Sequence, residues 1–307
     1  MVIRVFINKN KDIRTVFKIS LFAIIYIILS GFMGQILLAI VQRVIGNNSL
    51  ANPKQIYKEA QKYLYNTQIG IFMLQLMGLI ALILTIFILL RFIENKRFKD
   101  IGFNSIREHA KELKWGLILG AVSMVAIFII LLCTGNITLK NSITSPNFTT
   151  NALWGIVLFI IVAINEEIMC RGYIQTTLSQ IGSEWVAAIA TSGIFAILHL
   201  GNPNVKSTGL INIFLVGMLL SYMYIKTKSI WMPIGYHFTW NYFQGNVFGF
   251  PVSGTTQSKG IYNIIKVKEN ILTGGKFGPE AGILATIVIV VGIIVVWILT
   301  SNRKSNN

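Results

Sequence analysis

Long apolar blocks alternate with polar stretches along this chain, near residues 19–42, 69–90, 115–133, 152–174, 185–201, 209–225, 230–250 and 281–300. A membrane-crossing helix needs about 20 mostly apolar residues. The pattern therefore predicts an all-α fold, a polytopic membrane helical bundle of about eight transmembrane helices. The fifth and sixth blocks are short, and Pro233 and Gly235 interrupt the seventh, so these are the helices expected to tilt or break. The first block is too long for the apolar core of a cleavable signal and lacks a small-residue cleavage site, which predicts a retained span.

Composition supports this pattern and removes one competing class. Of 307 residues, 54% are hydrophobic and 12% charged. A net charge of +16 suits nucleic-acid binding, but the 27 basic residues cluster between apolar blocks, and no basic stripe lies on a soluble domain. That distribution suits loops beside an anionic leaflet, making membrane lipid the partner and nucleic acid none. One set of alternate loops carries Arg4, Lys9, Lys11, Arg14, Lys18, then Arg91, Lys96, Arg97, Lys99, Arg107, Lys111, Lys114, then Lys226, Lys228, Arg303 and Lys304. The positive-inside rule puts this set, and both termini, in the cytoplasm. The long basic N-terminus resembles that of a bacterial inner-membrane protein, so the expected location is the bacterial cytoplasmic membrane. Cys133 and Cys170 sit in or beside apolar blocks, where a thiol packs as a small hydrophobe, and imply no disulfide framework.

Three regions follow: N-terminal helices with a cytoplasmic amphipathic loop (1–150), a core (151–250), and an external loop with the last helix (251–307). Within the first, Ser105–Lys114 reads as a short amphipathic surface helix, and His109 in it as a solvated loop residue. Gly116 and Gly120 form a G-x-x-x-G suited to close helix packing, a pair that chance explains nearly as well among 26 glycines. Pro251–Pro279 is polar and Gly-rich, a loop or a lid. With no repeat, P-loop or dinucleotide fingerprint, the chemistry must come from the core.

There, Asn165–Gly172 (N-E-E-I-M-C-R-G) places Glu166, Glu167 and Arg171 at the end of an apolar run, where charge is costly and marks function. Glu167 and Arg171 are four apart and share a helix face, able to pair. Glu166 is turned about 100° from Glu167 and is left as the reactive carboxylate. Phe195 and His199 share a face near the end of the fifth span, as do His237 and Asn241 in the seventh. If the fourth and fifth spans turn near Gly182, Glu166 and His199 both lie about 25 Å from that turn and meet at one level. His237, about 12 Å from its own turn, joins them only if the first hairpin projects further or the Pro233–Gly235 segment displaces its helix. A glutamate beside a histidine activates water, and a second histidine with an asparagine can donate to an oxyanion. No G-x-S-x-G serine or paired cysteine argues for a covalent nucleophile.

These three motifs, Glu166-Glu167-x-x-x-Arg171, Phe195-x-x-x-His199 and His237-x-x-x-Asn241, appear in the order that marks the CPBP family. The chain resembles that family over roughly residues 150–250: CAAX prenyl endopeptidases of the Ras-converting type and the bacteriocin-processing Abi proteins. The resemblance implies a CAAX-endopeptidase-like core with 151–250 as the catalytic CPBP/Abi segment, acting on a peptide or membrane-protein substrate. It implies that Glu166 and His199 activate water while His237 and Asn241 form the oxyanion site, with Glu167, Arg171 and Phe195 in support. The family is often labelled metalloprotease, yet metal-free glutamate-dependent hydrolysis is also proposed for it. Glu166, His199 and His237 match a zinc set in composition, but no H-E-x-x-H helix fixes them, so a divalent metal such as zinc stays open. Two other classes compete: a non-enzymatic immunity or scaffold protein using the same bundle, and a proton-relaying transporter, disfavoured because the two halves show no matching interrupted spans.

Overall fold

In the computed structural model, residues 14–47, 52–140, 142–255 and 260–301 are described. Arg4, Lys9, Lys11, Arg303 and Lys304, used above to orient the chain, lie outside them. The protein is a nearly all-helical membrane bundle. It divides into two compact units, Met1–Phe98 and Lys99–Asn307.

The first unit holds α1 (Thr15–Gly46), α2 (Pro53–Asn66) and α3 (Gln68–Ile88), the last continuing through a π-helical turn, Leu89–Glu94. Ile24, Ile28, Phe32, Ile36 and Ile40 of α1 are exposed, a stripe with the helical period that suits lipid contact. Leu37, Leu38 and Val41 instead pack on Ala60 and Leu64 of α2. The α2 N-terminus is built by Pro53 in the first turn and by the Asn52 side chain, which accepts from the Gln55 amide at 3.0 Å. Glu94 is enclosed between Lys18 and Lys96, each at 3.2 Å.

The second unit holds α4 (Ala110–Cys133), α5 (Thr150–Glu167), α6 (Glu184–Leu198), α7 (Ser207–Thr227), α8 (Trp231–Tyr242) and α9 (Ile283–Ser301). A two-stranded antiparallel ribbon, β1 (Ile137–Leu139) with β2 (Ile264–Val267), pairs Ile137 with Val267 and Thr138 with Lys266. Helices α4 and α8 touch backbone to backbone: a Cβ on Gly116 would overlap the Met232 carbonyl, and one on Gly120 the Tyr236 carbonyl. The G-x-x-x-G pair is thus the seat of α8. Thr239 adds a hydrogen bond across the same contact, to the Leu117 carbonyl at 2.9 Å. Met124, Ile127, Leu219, Met223, Tyr236 and Ile289 fill the core between these helices.

Six helices among the described residues are long and apolar enough to cross a membrane: Thr15–Gly46, Gln68–Glu94, Ala110–Cys133, Thr150–Leu178, Ser207–Thr227 and Ile283–Ser301. The other two predicted spans form shorter helices, α6 and α8, so eight is an approximate count. The sixth block, read as short, makes a 21-residue helix. Pro233 does not break α8, because it falls in the first turn, where its missing N–H has no intrahelical carbonyl to lose. The surface helix expected at Ser105–Lys114 forms only from Ala110, as the first turn of α4; the amphipathic helix is α2.

Candidate functional site

The α5 helix changes character where its charges begin. After Glu167 it winds as a π-helix over Ile168–Gln175 before a last turn at Thr176–Leu178. Such i→i+5 segments are rare and concentrate at functional sites. The strip is enclosed by α7: Arg171 Nη2 donates to the Gly217 carbonyl at 3.1 Å, and Thr176 Oγ1 meets the Tyr224 hydroxyl at 2.7 Å.

Glu167 and Arg171 have no solvent exposure. Glu167 Oε1 accepts from Arg171 Nη1 at 2.9 Å and from His237 Nδ1 at 2.8 Å. A carboxylate only accepts, so His237 carries a proton on Nδ1 and presents Nε2 elsewhere. Nε2 faces Glu166 Oε2 at 3.7 Å. The Glu166 side chain is 29% exposed, and its Oε2 is buried with no hydrogen-bond partner among the described residues. Neighbouring glutamates thus have different surroundings: one sealed, with Oε1 bonded twice and Oε2 buried without a partner among the described residues, and one reachable.

Phe195 joins the second motif to the first. Its ring centroid lies 4.6 Å from Arg171 Cζ, 4.7 Å from the His199 ring and 6.2 Å from the His237 ring. His199 Nδ1 donates to the Phe195 carbonyl at 2.7 Å, which leaves Nε2 as its free nitrogen. Asn241 is buried one turn beyond His237 on α8. His109 stands apart at the start of α4, not as a solvated loop residue but partly enclosed beside Glu112, three residues on, at 3.8 Å. Cys170 packs with Phe195, Ile213 and Phe277, while Cys133 is exposed.

One residue here has no place in the three motifs. Glu280, in the loop before α9, is buried; its Oε2 accepts from the Ser253 amide at 2.6 Å and from Ser253 Oγ at 3.0 Å. Burial pushes its carboxyl above the usual range, opposed by the Ser253 hydrogen bonds and by the charge of His199. Its signal in the sequence is an acid beside an apolar run, the same cue that singles out Glu166.

Glu166, His199 and His237 match a zinc set in composition, but not in arrangement. Among the described residues no group of three His, Cys, Asp or Glu side chains is arranged to hold a metal ion. The donations of His237 Nδ1 to Glu167 and of His199 Nδ1 to a carbonyl are ones a metal-bound imidazole also makes, so it is the grouping of the three side chains that does not fit the role.

All seven motif residues fall within the segment matched by the family model described as "Type II CAAX prenyl endopeptidase Rce1-like", residues 147–243. No curated protein and no solved structure matches the chain. Residues 147–243 thus form a Rce1-like domain, consistent with the CPBP family.

Proposed function

We propose that this chain is an intramembrane endopeptidase in which Glu166 is the general base. The Rce1-like domain supports a CAAX-type protease kind of function, a peptide or protein substrate and a membrane setting. The observation that carries the finer reading is the division between the two carboxylates. Glu167 is sealed from solvent and committed through Oε1 to Arg171 and His237, whereas Glu166 has a side chain open to a substrate.

In this reading Glu166 accepts a proton from water, and the resulting hydroxide attacks the carbonyl carbon of the scissile peptide bond. The proton is returned to the departing amine, with His199 Nε2 orienting the water or sharing that proton. His237 and Asn241, one turn apart on α8, donate to the oxyanion. For that role His237 Nε2 must hold its own proton beside the one Nδ1 gives to Glu167. Glu167, Arg171 and Phe195 fix the two imidazoles without touching substrate.

The test is Glu166→Gln, assayed in detergent micelles with an internally quenched prenylated CAAX peptide and, in cells, by comparative peptidomics against wild type. A general base contributes about 10²–10⁴-fold, so cleavage should fall by at least about 100-fold while the protein accumulates normally. Equal cleavage by Glu166→Gln and wild type refutes the assignment. A cellular function that survives Glu166→Gln favours the scaffold reading.

A further inference from the structure

A cavity of about 150 Å³ lies at one end of the second unit, lined by Lys111, Glu112 and Trp115 of α4, Thr227 of α7, Met232 of α8 and Thr300 of α9. Here α4 and α8 begin and α7 and α9 end. Three more tryptophans stand at the same end. Trp231 opens α8 and donates from Nε1 to the Asn104 carbonyl at 2.8 Å, Trp185 in the first turn of α6 stacks on Tyr222 near the end of α7, and Trp297 is exposed near the end of α9. Tryptophan gathers where hydrocarbon meets head groups, which sets the cavity at head-group level. Its lining carries both signs. Glu112 is buried, with His109 at 3.8 Å, a partner charged only when protonated. Lys111 is exposed, and among the described residues no ion pair joins it to Glu112. Thr227 Oγ1 donates to the Met223 carbonyl at 2.8 Å and Thr300 Oγ1 to the Val296 carbonyl at 2.7 Å, so both hydroxyls keep acceptor capacity for a donor in the cavity.

We propose that this cavity binds a phosphoethanolamine group, the head group of a zwitterionic phospholipid: Glu112, Thr227 and Thr300 accept from the ammonium, Lys111 meets the phosphate, and the Trp115 ring packs on the methylenes between them. One carboxylate and two hydroxyl acceptors match the three N–H donors of a primary ammonium, and charge-assisted bonds of this kind are the strong ones. Opposite charges that line one cavity without pairing with each other suit a ligand that carries both. A cavity of this volume holds a group of about benzene's size, which fits a head group and excludes a peptide segment. Exposed aliphatic residues further along α4 and α9, Val122 and Ile294 among them, lie open to acyl chains. The cavity contains no residue of the three motifs, and the inference does not depend on the hydrolase reading. A lipid held there joins four helices at the base of α8, which carries His237 and Asn241.

The test titrates the full-length protein, in nonionic detergent micelles, with phosphatidylethanolamine, phosphatidylcholine and phosphatidylglycerol of identical chains, and counts bound lipid by native mass spectrometry. One phosphatidylethanolamine should bind at least about tenfold more tightly than either of the others, because phosphatidylcholine has no ammonium N–H and phosphatidylglycerol no cation. Glu112→Gln should weaken that binding about tenfold. Lys111→Gln, at an exposed residue, should weaken it with an unchanged unfolding midpoint, and Lys276→Gln, before α9 at the opposite end, should leave it as it is. Free O-phosphoethanolamine forms the second arm. Displacement of the bound lipid by millimolar amounts supports the site and makes a soluble compound its source, whereas lipid that stays bound supports the bilayer as the source. Equal affinity for the three lipids, tighter binding of phosphatidylglycerol, or a preference that survives both Glu112→Gln and Lys111→Gln overturns the proposal.

Discussion

Each unit of the protein encloses a cluster of charge, and the two clusters differ in what is left over. In the first unit Glu94, 1% exposed, sits between two lysines at 3.2 Å, with cation in excess. A buried carboxylate is costly unless paired, and this one is paired twice. In the second unit Glu167 is likewise paired twice, through Oε1, by Arg171 and His237. Yet a further carboxylate, Glu166, stands beside it, 29% exposed and no closer than 3.7 Å to the His237 imidazole. Folding requires partners for a buried charge but no second acid next to a paired one. The proposed site rests on this surplus carboxylate.

The largest stability effect should come from breaking the sealed pair. Arg171→Met leaves Glu167 with no guanidinium, and an uncompensated buried charge costs about 3–5 kcal/mol. Accumulation and the thermal unfolding midpoint in detergent should fall sharply, whereas Glu166→Gln should leave both unchanged. An Arg171→Met protein as stable as wild type would remove the distinction between the two glutamates.

The apolar spans are plain in the sequence because a run of about 20 apolar residues matches the thickness of a bilayer's hydrocarbon core. The count it gives is approximate where the blocks are least regular: α6 has 15 helical residues, and α8 passes into a π-turn at Phe243. Fixed spacing also makes the intrahelical relations legible, as with Glu167 beside Arg171 and the His199 ring beside Phe195. What joins different helices is not legible. That Glu167 serves His237, 70 residues away, is a fact of packing, and so is the burial of Glu280 by Ser253. The π-helix is hidden too, because reading the chain at 3.6 residues per turn assumes it absent. Helix α2 has the amphipathic period, but it is too polar to register among apolar blocks.

Glycines in helices of the two units sharpen the same contrast at smaller cost. Gly120 faces the backbone of α8, while Gly34 of α1 has open space where a side chain would go. Gly120→Ala forces α4 and α8 apart beneath His237 and should cost up to about 3 kcal/mol, since backbone yields less readily than a side chain. Gly34→Ala should be neutral or gain up to about 1 kcal/mol from helix propensity. Unfolding midpoints that move alike in the two variants would show that α4 and α8 do not depend on close approach.

The smallest effect should come from the first cluster. Lys18→Met removes one ammonium group from Glu94, but Lys96 remains at 3.2 Å with a side chain 32% exposed and room to adjust. The loss should be about 1.5 kcal/mol, the lower end for a hydrogen bond to a charged group, with cleavage of the peptide probe unchanged. Redundancy of like partners is what distinguishes this cluster from the one around Glu167, whose two partners, Arg171 and His237, differ in kind. A Lys18→Met protein that unfolds as readily as Arg171→Met would show that Glu94 depends on one lysine as Glu167 depends on one arginine, and the two clusters would then differ only in the presence of Glu166.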